Sequence, residues 1–127
     1  MIQGFEDYTE PLTPYEKDTL IPILCAGLKR RIGVRNIISN KQICTALISR
    51  GYPKINEARI RKCINYIRLN DLVPFLLANS KGYYVATSYN EVEDYILGVR
   101  GRANSINAMG DALERQLMIQ RTAALTL

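Results

Sequence analysis

Basic side chains are concentrated in the middle of this chain, where they could bind a polyanion. Residues 29 to 68 contain eleven basic residues and one acid, Glu57, so this segment carries +10 while the whole 127-residue chain carries +5. The remaining residues together carry −5, and their acids lie toward the two ends. Segregated charge of this kind favours a polyanion partner for the middle segment. A basic face that is exposed to solvent and binds nothing stays the alternative.

The stretch from Asn56 to Leu69 predicts the helix that would read bases, with Asn56 as its N-cap. Its apolar residues recur at i, i+3, i+4 and i+7, which indicates one buried stripe: Ile60, Cys63, Ile64 and Ile67. Lys62 and Asn65 then point outward, and Arg59 flanks them. Because Arg and Lys side chains match guanine edges and Asn matches adenine, the predicted base contacts are Arg59, Lys62 and Asn65.

Other basic or polar residues around this helix are better placed for phosphates. The expected phosphate contacts are Lys41, Lys54, Arg61, Lys81 and Tyr83, and Arg68 completes the predicted DNA-binding set. Tyr83 has a competing interpretation, because alternation along the predicted hairpin would bury it and leave Tyr84 outside.

Capping signals place two helices before the predicted reading helix. Thr13, Pro14 and Glu16 begin a helix that should run to about Arg31, and Pro22 should bend or interrupt it. Ser39 and Gln42 form a second capping box, and Gly51 should end that helix.

The chain after Leu69 predicts a hairpin over residues 73–87. Its two apolar runs surround a turn from Asn79 to Gly82, and glycine suits the positive φ that such turns need. Val34 to Ile38 could add a short third strand.

A second helical pattern begins near Ser88 and could reach about Gln120. From Val92 onward its apolar and small residues alternate at spacings of four and three, which is the heptad pattern of a coiled coil. The predicted dimerisation residues are Val99, Ala103, Ile106, Gly110, Leu113 and Leu117. The alternative is a helix that folds back on its own domain.

Several function classes are disfavoured by what the sequence lacks. There is no histidine, and the three cysteines do not form a CxxC pair, so neither a metal nor a cofactor is expected. Without a nucleophile beside a base, the chain is not expected to be an enzyme. No apolar run approaches 20 residues and no signal peptide is evident, so a cytoplasmic protein without a membrane span is expected. No small-molecule effector is expected either.

These signals predict a mainly α fold with a small β-hairpin (α+β) in three segments. Residues 1–12 should form a flexible arm, residues 13–88 a three-helix domain with its hairpin, and residues 89–127 a long C-terminal helix for packing or dimerisation.

The pattern from Ser39 through Tyr84 resembles the winged helix-turn-helix superfamily. The segment LNDLVPFLLANSKGYYVA is similar to the ending of its biotin-repressor-like branch, and the whole chain resembles small winged-helix proteins of bacteriophages and mobile elements. This resemblance covers roughly residues 13–97. It implies double-stranded DNA as the partner, with helix 56–69 in the major groove and the wing, residues 73–87, on the backbone. It also implies a role in transcription regulation or as a phage DNA-binding factor.

Winged helices also serve as protein-contact modules. The alternative function is therefore a protein-interaction or replication-assembly module that uses the heptad helix. In either case the exposed seam of that helix favours a homodimer.

Overall fold

A computed structural model describes residues 10–126, with side chains to residue 124. The chain divides into a first unit that ends at Tyr89 and a second unit that begins at Asn90. The first unit contains helices and one antiparallel hairpin, and the second consists of a single long helix. The described residues thus form the α+β fold that the sequence predicts, mainly helical and ending in a long helix.

The first helix begins as predicted and then widens before its proline. The Glu16 N–H donates to Thr13 Oγ1 at 3.1 Å and the Thr13 N–H to Glu16 Oε1 at 2.8 Å, which is the expected capping box. A π-helix covers Glu16–Leu20, and helix α1 follows over Ile21–Leu28. In a regular helix the Pro22 ring would clash with the carbonyl group four residues earlier. The wider turn lies directly before that proline, and the helix ends at Leu28, short of the predicted Arg31.

Helices α2 and α3 begin at the caps that the sequence indicates. Helix α2 covers Asn40–Ser49 behind the capping box of Ser39 and Gln42, and Gly51 follows it with a φ of +84°. Helix α3 covers Glu57–Leu69, and the Asn56 side chain accepts a hydrogen bond from the Arg59 N–H at 2.9 Å.

The hairpin consists of β1 (Leu76–Asn79) and β2 (Gly82–Val85), joined by Ser80 and Lys81. Gly82 has a φ of +145°, and a Cβ atom there would lie 2.1 Å from the Ile38 carbonyl oxygen. Glycine is needed at this position because the segment before α2 passes against the backbone of β2.

The prediction of a third strand over Val34 to Ile38 is wrong. Val34–Asn36 forms a short 3₁₀ helix, and only the residues on either side of it pair with β2. Ile38 exchanges two backbone hydrogen bonds with Tyr83, at 3.0 and 2.9 Å, and Ile32 forms a bridge with Val85. The 3₁₀ turn between these two bridges prevents a continuous ladder.

The core of the first unit is centred on α3. All four residues of the predicted stripe are fully buried. The π-helix, α1, α2 and the hairpin supply the residues packed around them: Leu20, Leu24, Leu28, Ile43, Leu47, Leu76 and Tyr83. Burial of one side of α3 fixes which of its polar side chains face solvent.

Helix α4 covers Tyr89–Thr126 and ends six residues beyond the predicted end; from Asn90 onward it forms the second unit. Its heptad side chains are exposed from Ile96 onward, including Ile106 at 71% and Leu113 at 56%. Among the described residues, no helix combines the length and apolar character needed to cross a membrane.

Candidate nucleic-acid interface

Arg59 is buried in an ion pair, which does not fit its predicted role as a base contact. Only 8% of the residue is exposed, because its guanidinium binds the carboxylate of Glu16. Arg59 Nε donates to Glu16 Oε2 at 2.8 Å, and Arg59 Nη2 forms a very short hydrogen bond with Glu16 Oε1. The two side chains thus form a bidentate ion pair that joins α3 to the π-helix.

The ion pair also explains why the Glu16 carboxyl is ionised. Its hydrogen bonds from Arg59 lower the pKa of the Glu16 carboxyl from its ordinary value, and they outweigh the opposing effect of burial. The carboxylate is therefore ionised throughout the neutral range. The sequence contains no sign of this pairing, because the two residues are 43 positions apart and Glu16 is already explained as a cap.

Arg59 holds the start of the described chain as well. Its Nη1 and Nη2 groups donate to the carbonyl oxygens of Glu10 and Pro11, both at 2.9 Å, and Leu12 packs against the core. Residues 10–12 of the predicted flexible arm are thus attached to the domain. Residues 1–9 of that arm lie outside the described residues.

The position of Tyr83 likewise does not fit its predicted contact with phosphate. Tyr83 is 8% exposed, and its hydroxyl donates to Asn40 Oδ1 at 2.8 Å. The alternative interpretation, in which hairpin alternation buries this residue, is confirmed. Burial raises the pKa of the Tyr83 hydroxyl, while the bond to Asn40 and the charges of Arg61 and Arg68 act in the opposite direction.

The environment of Tyr83 brings three elements together. Asn40 is the first residue of α2 and Tyr83 lies in β2. The charges of Arg61, Arg68 and Glu57 on α3 also act on the Tyr83 hydroxyl, and Glu57 opposes the two arginines. The hydrogen bond from Tyr83 to Asn40 therefore joins the hairpin to the start of α2. Lys41, the second residue of α2, adds a charge at the end of that helix where the dipole already favours anions.

The seven remaining candidates are accessible. Four are exposed, namely Lys41, Lys54, Arg61 and Lys81, and three are partly exposed, namely Lys62, Asn65 and Arg68. Arg61, Asn65 and Arg68 follow at i, i+4 and i+7, so they share one side of α3. This side can present two guanidinium groups and an amide to a ligand at once.

A second basic surface was not singled out from the sequence. Arg30, Arg31 and Arg50 line one cleft with Asn36, on the side of the domain formed by α1 and α2. None of the residues that line this cleft belongs to α3 or to the hairpin. Charge alone could have flagged these arginines, but nothing in their spacing shows that they meet.

The thiols do not form a reactive centre. Cys63 is fully buried, and burial raises the pKa of its thiol to about 12, so at neutral pH it carries its proton. Burial also raises the pKa of Cys25 and of Cys44. Within the described part of the chain, no three His, Cys, Asp or Glu residues come close enough to hold a metal ion.

The arrangement can bind an extended anion through side chains from α2, α3 and the hairpin tip. Comparison with known proteins adds no further assignment. No family model matches the chain, and no curated protein or solved structure matches it either.

Proposed function

We propose that this chain binds double-stranded DNA in a sequence-specific manner, as a transcription regulator or a phage DNA-binding factor. The order of its elements supports the resemblance to winged helix-turn-helix proteins: α1, then α2 and α3 joined by a turn, then a hairpin. The observation that carries the proposal is the convergence around Tyr83. There the hydrogen bond from Tyr83 to Asn40 joins the hairpin to the start of α2, and the charges of Arg61 and Arg68 on α3 act on the same hydroxyl, so the three elements would face one stretch of duplex.

Each accessible residue takes a role from its position in this arrangement. Lys62 and Asn65 lie on the partly exposed side of α3, where they would reach base edges in the major groove. Lys41, Lys54, Arg61, Arg68 and Lys81 would contact phosphates and set the register of the protein on the duplex. Arg59 positions α3 through Glu16 and does not itself touch DNA.

A homodimer through α4 is part of the proposal. The exposed heptad residues give this helix an apolar seam that a second copy would cover, and the predicted dimerisation residues lie along it: Val99, Ala103, Ile106, Gly110, Leu113 and Leu117. Two reading units on one particle would raise the affinity for a site with two halves.

The salt dependence of duplex binding tests the electrostatic part of the proposal. With about five phosphate contacts, the logarithm of affinity should fall with the logarithm of salt concentration at a slope of about −4.5. Fluorescence anisotropy of a labelled duplex with the full chain measures this slope. No binding at low salt, or binding that salt does not weaken, would reject the proposal.

Sequence preference tests the roles within the interface. Lys62→Ala and Asn65→Ala should each lower affinity for a selected site by about 1–3 kcal/mol while leaving random DNA nearly unaffected. Lys81→Ala, at the hairpin tip, is the matched control and should weaken all duplexes alike. If all three variants behave identically, α3 is not the reading helix.

The second candidate is a protein-interaction or replication-assembly module. The exposed apolar seam of α4 is the observation that favours it, because such a seam can bind another helix. This candidate predicts that the full chain forms its complex through α4 and shows no affinity for duplex DNA at low salt. The anisotropy measurement therefore separates the two functions.

A further inference from the structure

The apolar seam of α4 is exposed along most of its length. Ile106, Leu113 and Leu117 are 71%, 56% and 49% exposed, and the small residues Ala103 and Gly110 lie between them on the same seam. A helix that contains three glycines, Gly98, Gly101 and Gly110, needs packing to be stable in water. What covers this seam must therefore fit both its large and its small residues.

We propose that two copies of α4 pair antiparallel, with the two-fold axis at the level of Ala108. This inference rests on the homodimer of the proposed function and specifies its orientation and register. Ala103, Gly110 and Leu117 occupy one core position of the heptad, and Val99, Ile106 and Leu113 occupy the other. In an antiparallel pair each position faces the other one across the interface, whereas in a parallel pair each residue faces its own copy.

The sizes of the core residues favour the antiparallel pair. With the axis at Ala108, Gly110 packs against the partner's Ile106, and Ala103 packs against the partner's Leu113. Each small residue thus meets a large one, and Leu117 meets the partner's Val99. A parallel pair would instead set glycine against glycine and alanine against alanine, which leaves gaps beside crowded layers.

The charges beside the seam select the same register. The exposed residues on one flank are, in order, Glu93, Arg100, Asn107, Glu114 and Arg121, and in an antiparallel pair this flank faces itself. With the axis at Ala108, Glu93 faces the partner's Arg121 and Arg100 faces the partner's Glu114. Asn107 faces the partner's Asn107.

Neighbouring registers bring like charges together. A shift of one heptad in one direction sets Glu93 against the partner's Glu114, and a shift in the other sets Arg100 against the partner's Arg121. In a parallel pair these charged residues face the other flank, whose residues are Tyr95, Arg102, Met109 and Gln116, and no opposite charges meet. Only the register centred on Ala108 pairs every charge of this flank with its opposite.

The orientation also fixes where the two helices start. At a rise of about 1.5 Å per residue, the two copies of Tyr89 would lie about 57 Å apart along the axis. A parallel pair would place both copies at the same end. The two arrangements therefore predict different distances at every position away from the centre.

Electron–electron distance measurements on the full chain test the orientation directly. A spin label is placed on an introduced cysteine at three outward positions, in separate variants: Leu97→Cys, Ala108→Cys and Met118→Cys. Cys25 and Cys44 are replaced by alanine, while Cys63 is kept because it is fully buried and its thiol pKa is about 12. The parent without an added cysteine is the control for labelling, and its melting temperature checks the background.

The antiparallel pair predicts a short distance at Ala108 and much longer ones at the other two positions. The axial separations would be about 33 Å at Leu97 and about 30 Å at Met118, against none at Ala108. Equal distances at all three positions would indicate a parallel pair and overturn the inference while leaving the homodimer intact. The absence of any dipolar coupling would reject the homodimer itself, whereas DNA binding is tested separately by anisotropy.

A charge exchange tests the register. Arg100→Glu and Glu114→Arg should each weaken the dimer about tenfold by sedimentation equilibrium, because each sets like charges together at two symmetric places. The double variant should recover the wild-type affinity within about twofold. Losses that simply add in the double variant would show that these two residues are not partners.

Discussion

Helices α3 and α4 carry the same kind of apolar stripe and differ entirely in what covers it. In α3, Ile60, Cys63, Ile64 and Ile67 are fully buried within the first unit. In α4, Ile106 and Leu113 are more than half exposed. Helical periodicity therefore indicates which face of a helix will be apolar, but it does not identify the element that packs there. For α3 that element lies in the same chain, and for α4 we propose a second copy.

The largest expected effect tests whether each apolar stripe packs within its own chain. Ile64→Ala should lower the free energy of unfolding of the first unit by about 4 kcal/mol, because it removes a fully buried side chain and leaves a cavity. Ile106→Ala, on the exposed stripe of α4, should leave the unfolding of the first unit unchanged and weaken self-association instead. Urea unfolding and sedimentation equilibrium on both variants measure the two effects.

A milder variant keeps the comparison measurable if Ile64→Ala does not fold. Ile64→Val should cost about 1 kcal/mol, which keeps most molecules folded at neutral pH. The comparison fails if Ile106→Ala destabilises the first unit as strongly as Ile64→Ala does. That result would mean that the α4 stripe packs within its own chain.

The next largest expected effect is a loss of stability when Arg59 of α3 is replaced. Arg59→Ala should destabilise the first unit by about 3 kcal/mol, since it leaves the Glu16 carboxylate buried without its partner and releases the carbonyl groups of Glu10 and Pro11. Arg61→Ala is the matched control on the exposed side of the same helix and should change stability by less than about 0.5 kcal/mol.

The order of the two effects should reverse for DNA binding. At a temperature where both variants are folded, Arg61→Ala should weaken binding to all duplexes, while Arg59→Ala should bind like the wild type. Anisotropy with a random duplex measures both. A folded Arg59→Ala variant with strongly reduced affinity would restore Arg59 as a contact residue.

Local signals predicted most of the fold, and they did so for physical reasons. The caps at Thr13, Ser39 and Asn56 depend only on residues within the next turn, and all three form as expected. The predicted third strand failed because it depends on how a loop meets β2. The loop passes close to β2 at Gly82, and it forms only two isolated bridges with that strand, one on each side of a 3₁₀ turn.

The site was predicted less completely, because burial of a charged side chain depends on distant partners. Arg59 and Arg61 are both arginines on α3. Only Arg59 is buried, because it pairs with Glu16, which lies 43 positions away in the sequence. A helical wheel assigns Arg59 to a boundary between the two faces. It contains no information about a carboxylate in another helix that can bind it there.

Acid titration tests the same ion pair with a smaller effect. The pKa of Glu16 is lowered in the folded protein from its ordinary value of 4.5, so its contribution to stability is complete above about pH 5 and is lost as the pH falls through the folded value. Glu16→Gln should therefore be less stable than the wild type by about 2 kcal/mol at pH 7. This difference should shrink at pH 3, as measured by urea unfolding at both values. A difference that grows toward acid would contradict the lowered pKa.

The smallest expected effect concerns Tyr83, which helps to cover the core around α3. Tyr83→Phe keeps the buried ring and removes only the hydroxyl that donates to Asn40 Oδ1, so the free energy of unfolding should fall by about 1 kcal/mol. Asn40→Ala, alone and combined with Tyr83→Phe, completes a cycle in which the double variant should lose less than the sum of the single losses. Because Tyr83 is buried and its hydroxyl already donates to Asn40, Tyr83→Phe should bind duplex DNA like the wild type once both are fully folded. A clear loss of affinity without a loss of stability would instead place that hydroxyl on a phosphate.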